Sequence, residues 1–328
     1  MVRDHPNCSV FHSAAWAKVL ATTYGHLPLY LQCSRKNELL ALVPLMEVRS
    51  RVTGVRGVGL PFTDVCTPLL FGDCEPSSVL PPVVNLAKER NWKHFELRGG
   101  VNPGSEDERF ALYYEHTIDL RHSEEIIFSN FSSSTRRAIR KAENSNLRFE
   151  MSSSEEALNN YYNLHLVTRK RHGVPPQPFT FFQNIHSHLI KAGHGSIALA
   201  FHSDQPVSGG VYLRFGKHSV YKFGASDETH QIYRGNNLVM WRAIEALKKE
   251  GIEYLHLGRT SRINSGLRNF KMGWGAVESR LGYLKFKTAT KTWVNCRDLA
   301  GGFHNLIFKR MPSSLNRLVG TLIYPHLD

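Results

Sequence analysis

At 328 residues the chain is longer than a single hydrophobic core usually sustains, and with 41% hydrophobic and 21% charged residues it reads as a globular protein of two domains. It has no apolar run of about eighteen residues, and its opening MVRDHPNCSVFHS holds no secretory apolar segment, which sets aside a membrane-spanning protein and makes the cytoplasm the expected location. The formal net charge of +13 points to a polyanionic partner: tRNA, a nucleotide-linked sugar, an anionic lipid surface or the phosphates of coenzyme A.

Trp16, Val19 and Leu20 recur at helical spacing near the N-terminus, and residues 28–33 and 39–48 follow as β-rich runs separated by the turn SRKNE. In RVTGVRGVGLPFTDVCTPLLFG, the glycines at 54, 57 and 59 are too irregular for a nucleotide-binding loop, so they serve turns or close backbone approach. A helix is expected over 82–90, and strands over 93–98 and 113–120. SSSTRRAIRKAENSNLRF then opens a helix capped within 132–135, on which Arg136 stacks on Arg140 and Arg137 on Lys141; this twin basic stripe is either a phosphate-binding face or a solvated one.

A longer helix over 154–171 carries Leu158, Tyr161, Tyr162, His165 and Arg169 on one face and stops at Gly173 and Pro175. There His165 fits a hydrogen-bonded core position better than a proton-handling one. Arg169 and Arg171 suit anion contact, because a guanidinium offers paired donors to phosphate. After a helix over 181–192, residues 196–201, 207–215 and 218–223 read as a meander. Residues 221–225 belong to a strand. Asn236 then caps a helix with Met240, Trp241, Ile244 and Leu247 on one face, Gly251 ends it, and residues 253–257 return as a strand. Strand, crossover helix and strand make the unit of an α/β sheet, whose turns hold ligands.

Cys8, Cys33, Cys66, Cys74 and Cys296 are odd in number and contain no C-x-x-C pair, so neither a disulfide framework nor a zinc ribbon is indicated. His186 and His188 point apart on their helix and no H-E-x-x-H occurs; no metal is expected. A serine nucleophile lacks its G-x-S-x-G setting. Tyr221, on a cleft-facing strand, is either a packing residue or a group that meets developing charge.

The segment GRTSRINSGLRNFKMGWG, with Leu257, Gly258, Arg259, Gly266, Phe270, Lys271, Trp274 and Gly275 in order, resembles the FGR…G…FK…(W/F)G signature of the FemABX family. RRAIRKAENSNL resembles the stretch that opens the second domain of such proteins, although Asn146 stands where glycine is usual. The segment LH…TR-x-R-x-G-x-P from Leu164 to Pro175 resembles another of its stretches. The resemblance runs over about residues 10–290, most clearly after Ser132. It implies an α/β protein of tandem GNAT-like (acyl-CoA N-acyltransferase-like) domains with mixed central sheets: 1–120, then 121–290 carrying the main cleft. A basic amphipathic tail, 291–328, resembles those of relatives from exopolysaccharide systems. In this tail Leu306, Ile307, Leu315, Leu318 and Leu322 are expected to pack on the first domain, with an anionic membrane surface as the alternative.

The function implied is aminoacyl transfer from aminoacyl-tRNA to an amine of a cell-envelope (peptidoglycan) or polysaccharide precursor, with no further cofactor. QIYRGNN at 231–237 departs from the Q/R-x-x-G-x-G/A loop that grips the pyrophosphate of acetyl-coenzyme A, which favours that donor. An acyl-CoA-dependent N-acyltransferase of exopolysaccharide synthesis and a non-catalytic polyanion-binding module are the alternatives. In the expected mechanism an acceptor amine attacks the acyl ester, Lys271 stabilises the oxyanion, and Arg259, Arg169 and Arg171 position phosphates. His165, Phe270, Trp274, Arg136 and Arg140 complete the substrate contacts, and Asp227 is the nearest carboxylate to serve as base, beside Tyr221.

Overall fold

A computed structural model describes residues 2–36, 38–100, 110–294 and 304–327. Helix α1 (Ala14–Tyr24) starts where the Ser13 side chain accepts from the Trp16 amide, and ends at Gly25 in the left-handed conformation. Strands β1 (Leu27–Arg35) and β2 (Glu38–Ser50) form an antiparallel hairpin, followed by β3 (Gly54–Val58), the short β4 (Leu69–Leu70), α2 (Leu80–Glu89) and β5 (His94–Arg98). The second half runs through β6 (Phe110–Asp119), α3 (Glu124–Ser129), α4 (Ser133–Glu143), β7 (Arg148–Ser152), α5 (Glu155–His172) and α6 (Phe179–Ile185). It continues with β8 (Gly195–His202), β9 (Gln205–Phe215), β10 (His218–Ser226), α7 (Gly235–Lys249), β11 (Tyr254–Ser261), α8 (Ser265–Met272), β12 (Val277–Lys287) and β13 (Thr292–Trp293). Helices α9 (His304–Arg310) and α10 (Ser313–Ile323) close the chain.

The strands form one mixed sheet in the order β1-β2-β3-β5-β12-β6-β11-β10-β9-β8-β7, with β4 on β2 and β13 on β12. Strand β12 joins the halves, pairing antiparallel with β5 on one side and with β6 on the other. Its sequence VESRLGYLKFK alternates charge with apolar residues, and Leu281, Tyr283, Leu284 and Phe286 are buried. The first half has its own apolar core, with Val43, Leu45, Trp92 and Phe95; the second packs α7 through Leu238, Trp241, Ile244 and Leu247. A third core joins the N-terminal helix to the second half of the chain, because Trp16 and Leu20 of α1 cluster with Tyr161 of α5 and Phe181 and Phe182 of α6.

Local chemistry explains the points where sequence and structure part. Asn146 has φ 50°, in the left-handed region that glycine occupies freely and asparagine tolerates, so it substitutes for glycine at little cost. Asn236 is not the cap of α7: Arg234, itself left-handed, holds that position, and the Asn236 side chain instead accepts a hydrogen bond from Ser208. The tail leucines are also corrected. Leu306, Ile307, Leu315, Leu318 and Leu322 face outward, while Asn316, Gly320 and Tyr324 make the contact with the body. Gly320 lies so close to Pro176 that a Cβ there would sit 2.1 Å from its carbonyl oxygen. No described helix is long and apolar enough to cross a membrane.

Glu47 ties β2 to α2 and β5 in the first half. Its carboxylate, 1% exposed, accepts from Arg49 Nε (2.7 Å), Arg90 Nε (2.8 Å) and Trp92 Nε1 (2.8 Å). Burial pushes the carboxyl pKa up, yet these donors prevail and hold it at about 2, against an ordinary 4.5. The folded value is depressed, so this stability is complete above about pH 4.5 and is lost as pH falls through about 2. Glu47→Gln should cost about 3 kcal/mol at neutral pH by unpairing a buried charge network. Urea unfolding across this pH range should show the acid-dependent part of the stability flattened in the variant.

Candidate active site

Strands β10 and β11 lie side by side, parallel, joined by the crossover helix α7, yet they pair only from His218–Val220 to Tyr254–His256. Beyond that level each strand shifts register with its other neighbour as well: β10 against β9 between Tyr221 and Phe223, and β11 against β6 between His256 and Arg259. Gly258, at φ 76°, makes the bend in β11, and its Cα faces Asp64 so closely that a Cβ would touch the carboxylate at 3.4 Å. The parted strands leave a cavity of about 260 Å³ lined by Asp64, Tyr221, Lys222, Gly258, Arg259, Phe270 and Lys271. A second cavity of about 250 Å³, lined by Phe11, Val65, Glu115, Val220 and His256, backs onto it. The residue pairs Val220/Tyr221 and His256/Leu257 are divided between the two, and successive strand residues face opposite sides of a sheet. The parted strands are therefore flanked by a cavity on each face of the sheet.

Lys271 sits in the last turn of α8. That helix is capped by Asn264, which accepts from the Leu267 amide, and it is pinned to β12 by Arg268, whose guanidinium donates twice to Glu278 at 2.7 and 2.6 Å. The Lys271 residue is only 4% exposed. Its Nζ donates to the carbonyls of Gly258 (2.7 Å) and Arg259 (2.9 Å), at the break in the β11–β6 ladder, and one N–H remains for the cavity. Burial lowers its pKa to about 8; the Asp64 charge opposes this fall and Lys222 adds to it.

Asp64 comes from the loop after β3. Leu60 and Phe62 there both have positive φ, and Thr63 is held through its hydroxyl to the Leu60 carbonyl and through its own carbonyl to Arg98. The Tyr283 hydroxyl donates to the Asp64 carbonyl, so the loop presents a fixed carboxylate. Burial would raise its pKa, but the Lys222 ammonium at 2.9 Å, with His256 and Arg259 further off, holds it at about 2. Lys222 in turn lies over the rings of Phe11 and Phe223. Tyr221, pushed up to about 12 by burial, stays protonated and acts as a donor rather than a base.

Of the residues singled out by sequence, Tyr221, Arg259, Phe270 and Lys271 meet in this cavity. Arg259 lies over the rings of Tyr113 and Tyr283. Trp274 is fully buried against Phe131 and Phe270, where it supports the wall without lining it. Asp227 lies elsewhere: it caps the turn Glu228–Tyr233, accepts from Thr229, and lines a separate cavity of about 200 Å³ at the start of α7, beside His230 and Arg234. Phe270 lines both cavities. His165 is a core residue bonded to Gln177 and driven down to about 3 by burial and by Arg169. Arg169 clamps the Pro175 carbonyl and the Tyr324 hydroxyl, and Arg171 Nη1, two residues on, is buried without a hydrogen-bond partner. Arg136 donates to the Ser129 carbonyl and Arg140 lies over Phe128, both on the outward side of α4. Asp64 and Lys222 were missed from sequence. Lys222 adjoins Tyr221, and Asp64 follows a glycine-rich segment, but only the fold pairs residues 158 positions apart.

Residues 129–272 match the model of the acetyltransferase (GNAT) domain family. No curated protein matches the sequence. Among solved structures the chain is similar to FemX, with a TM-score of 0.69 at 13% identity over 86% of this chain and 94% of that one. The protein has a FemX-like GNAT fold. It is also similar to the lysylphosphatidylglycerol synthase L-PGS of Bacillus licheniformis (TM-score 0.52, 14% identity, 89% of each chain). A tandem GNAT protein from the clavulanic acid biosynthesis pathway gives a TM-score of 0.53 at 8% identity, over 80% of this chain and 83% of that one. The parted strands β10 and β11 lie within the region that matches the GNAT family, and so does Lys271.

If this site works with Lys271 as a cation, its rate should fall on the alkaline side along a limb near pH 8, where that ammonium gives up its proton. Asp64 favours the charged form, so Asp64→Asn should move the limb to lower pH. Lys271→Arg should remove it from whatever rate remains, because a guanidinium does not titrate there. A pH–rate profile of the three proteins decides the matter.

Proposed function

We propose that this protein transfers an aminoacyl group from aminoacyl-tRNA to an amine of a cell-envelope or polysaccharide precursor, at the gap between β10 and β11. The observation that carries this reading is the buried Lys271, fixed by two backbone carbonyls with one N–H left for a cavity beside the parted strands, behind which a second cavity lies on the other face of the sheet. A donor ester entering from the α7 side and an amine arriving from the other meet there. As the amine nitrogen bonds to the ester carbon, the carbonyl oxygen becomes negative, and a fixed ammonium in a dry site stabilises it without reorganisation. Collapse breaks the ester bond, and the leaving ribose oxygen takes up the proton that the amine gives up; Asp64, paired with Lys222 in the same cavity, holds the charge balance of the site. Tyr221 is a neutral donor toward the same space.

The donor is argued from the start of α7. Coenzyme A would seat its pyrophosphate at that helix N-terminus. Here the cavity includes Asp227: burial raises its pKa, but hydrogen bonds from Thr229 and His230 keep it below its ordinary value and ionised. A carboxylate beside two phosphates is unfavourable, and Arg234 offsets it only in part. The net charge of +13 and the outward stripe of Arg136, Arg137, Arg140 and Lys141 suit the long phosphate backbone of tRNA. Coenzyme A as donor is the second reading, favoured by the GNAT family match itself.

Single-turnover transfer from a defined aminoacyl-tRNA tests the chemistry. Lys271→Met should lower that rate by roughly a hundredfold or more with the fold retained; thermal stability is recorded alongside, because the Gly258 and Arg259 carbonyls lose their donor. Full activity in the Met variant would reject the assignment. Tight binding of coenzyme A with no binding of charged tRNA would replace the donor. Neutralising the α4 stripe should weaken tRNA binding and flatten its salt dependence by about one unit of slope for each phosphate that the stripe neutralises.

A further inference from the structure

The two C-terminal helices are built inside out. Along α10 the positions turned to the body are Asn316 and Gly320, whereas Leu315, Leu318 and Leu322 form an outward stripe at i, i+3 and i+7, with Leu322 62% exposed. On α9, Leu306 and Ile307 are also outward, Ile307 at 56%. The Asn316 side chain donates to the Phe308 carbonyl, so the two helices hold a fixed relation to each other. The pair is anchored to the body by polar contacts: Tyr324 accepts from Arg169 and donates to the Pro175 carbonyl, and Arg56 donates to the carbonyl of His326. The buried Tyr324 ring also packs against Phe62, but the exposed leucines of α9 and α10 take no part in holding the tail. Its apolar face is left for something else.

The charge around that face selects the occupant. Residues 304–327 contain no aspartate or glutamate, and Lys309 and Arg310 are exposed, whereas the Arg317 guanidinium lies over the Tyr162 ring of α5. Arg171 and Lys309 both act on the His172 ring, which puts the α9 cations beside the basic end of α5. A second copy docked face to face through this surface would oppose like charges. An anionic bilayer offers both a hydrocarbon layer for the leucines and phosphate for the cations.

We propose that the outward face of α9 and α10 is a membrane-docking surface that lays the protein on an anionic lipid bilayer, with Leu306, Ile307, Leu315, Leu318 and Leu322 in the headgroup–acyl boundary and Lys309 and Arg310 among the lipid phosphates. This holds whether the acyl donor is tRNA or coenzyme A. It brings the catalytic body to the plane where a lipid-linked acceptor would lie.

Flotation of the full chain with phosphatidylglycerol–phosphatidylcholine vesicles, and with phosphatidylcholine vesicles alone, tests it. The protein should float with the anionic vesicles only. Replacing Lys309 and Arg310 together by serine should weaken that binding by roughly 25-fold, from about fivefold per charge. Replacing Leu315, Leu318 and Leu322 together by serine should weaken it by about tenfold or more at unchanged charge. Leu318→Trp provides a second readout that needs no loss of binding: its fluorescence should shift to the blue on anionic vesicles. Absence of vesicle binding, binding that ignores both the charge variant and the leucine variant, or a dimer in sedimentation that the leucine variant dissociates would each overturn the proposal.

Discussion

The parting of β10 from β11 is the constraint on which the site depends. Two parallel strands joined by a helix would ordinarily stay paired along their length, and backbone groups left without partners in a buried place must find others. Here Lys271 supplies the missing donors to Gly258 and Arg259, so the same ammonium that faces the cavity also repairs the broken ladder. The α8 helix that carries it is held by the Arg268–Glu278 pair, and Glu278 also bonds His116 on β6, so a charged chain across β12 and β6 sets the height of the lysine. The opening is a built feature of the sheet rather than a gap in its packing.

Electrostatics then follow from burial. Two ammonium groups and one carboxylate share the cavity, and neither lysine would be tolerable there without the aspartate. Asp64 pairs directly with Lys222, while Lys271 is left to backbone carbonyls and is the group whose proton is loosened. The arrangement keeps one cation locked and one poised, which is what a site needs if it must bind a polyanion and also respond to an oxyanion formed for an instant. The first half of the chain is indispensable to this balance, since Asp64 belongs to it and Lys222 and Lys271 belong to the second.

Periodicity made most elements legible: the buried faces of α1, α5 and α7 were plain from Trp16, Tyr161 and Ile244 and their neighbours, and the signature around Phe270 and Lys271 led to the cavity. Strand β12 was not seen, because Glu278, Arg280 and Lys285 give it the look of a surface segment although it lies between two other strands. Asp227 drew attention through its closeness in sequence to Tyr221, whereas the carboxylate in the cavity is Asp64, brought there by long-range topology. The tail leucines suggested packing because their spacing is that of a buried stripe. Spacing alone does not tell which way such a stripe points.

The most direct measurement is a crystal structure with a non-hydrolysable aminoacyl-adenosine ester analogue carrying a tetrahedral phosphonate at the reacting carbon. The account predicts the phosphonate between β10 and β11, with an oxygen within hydrogen-bond reach of Lys271 Nζ and the adenosine toward the start of α7. An analogue bound with its phosphonate away from Lys271, or seated outside the parted strands altogether, would contradict it.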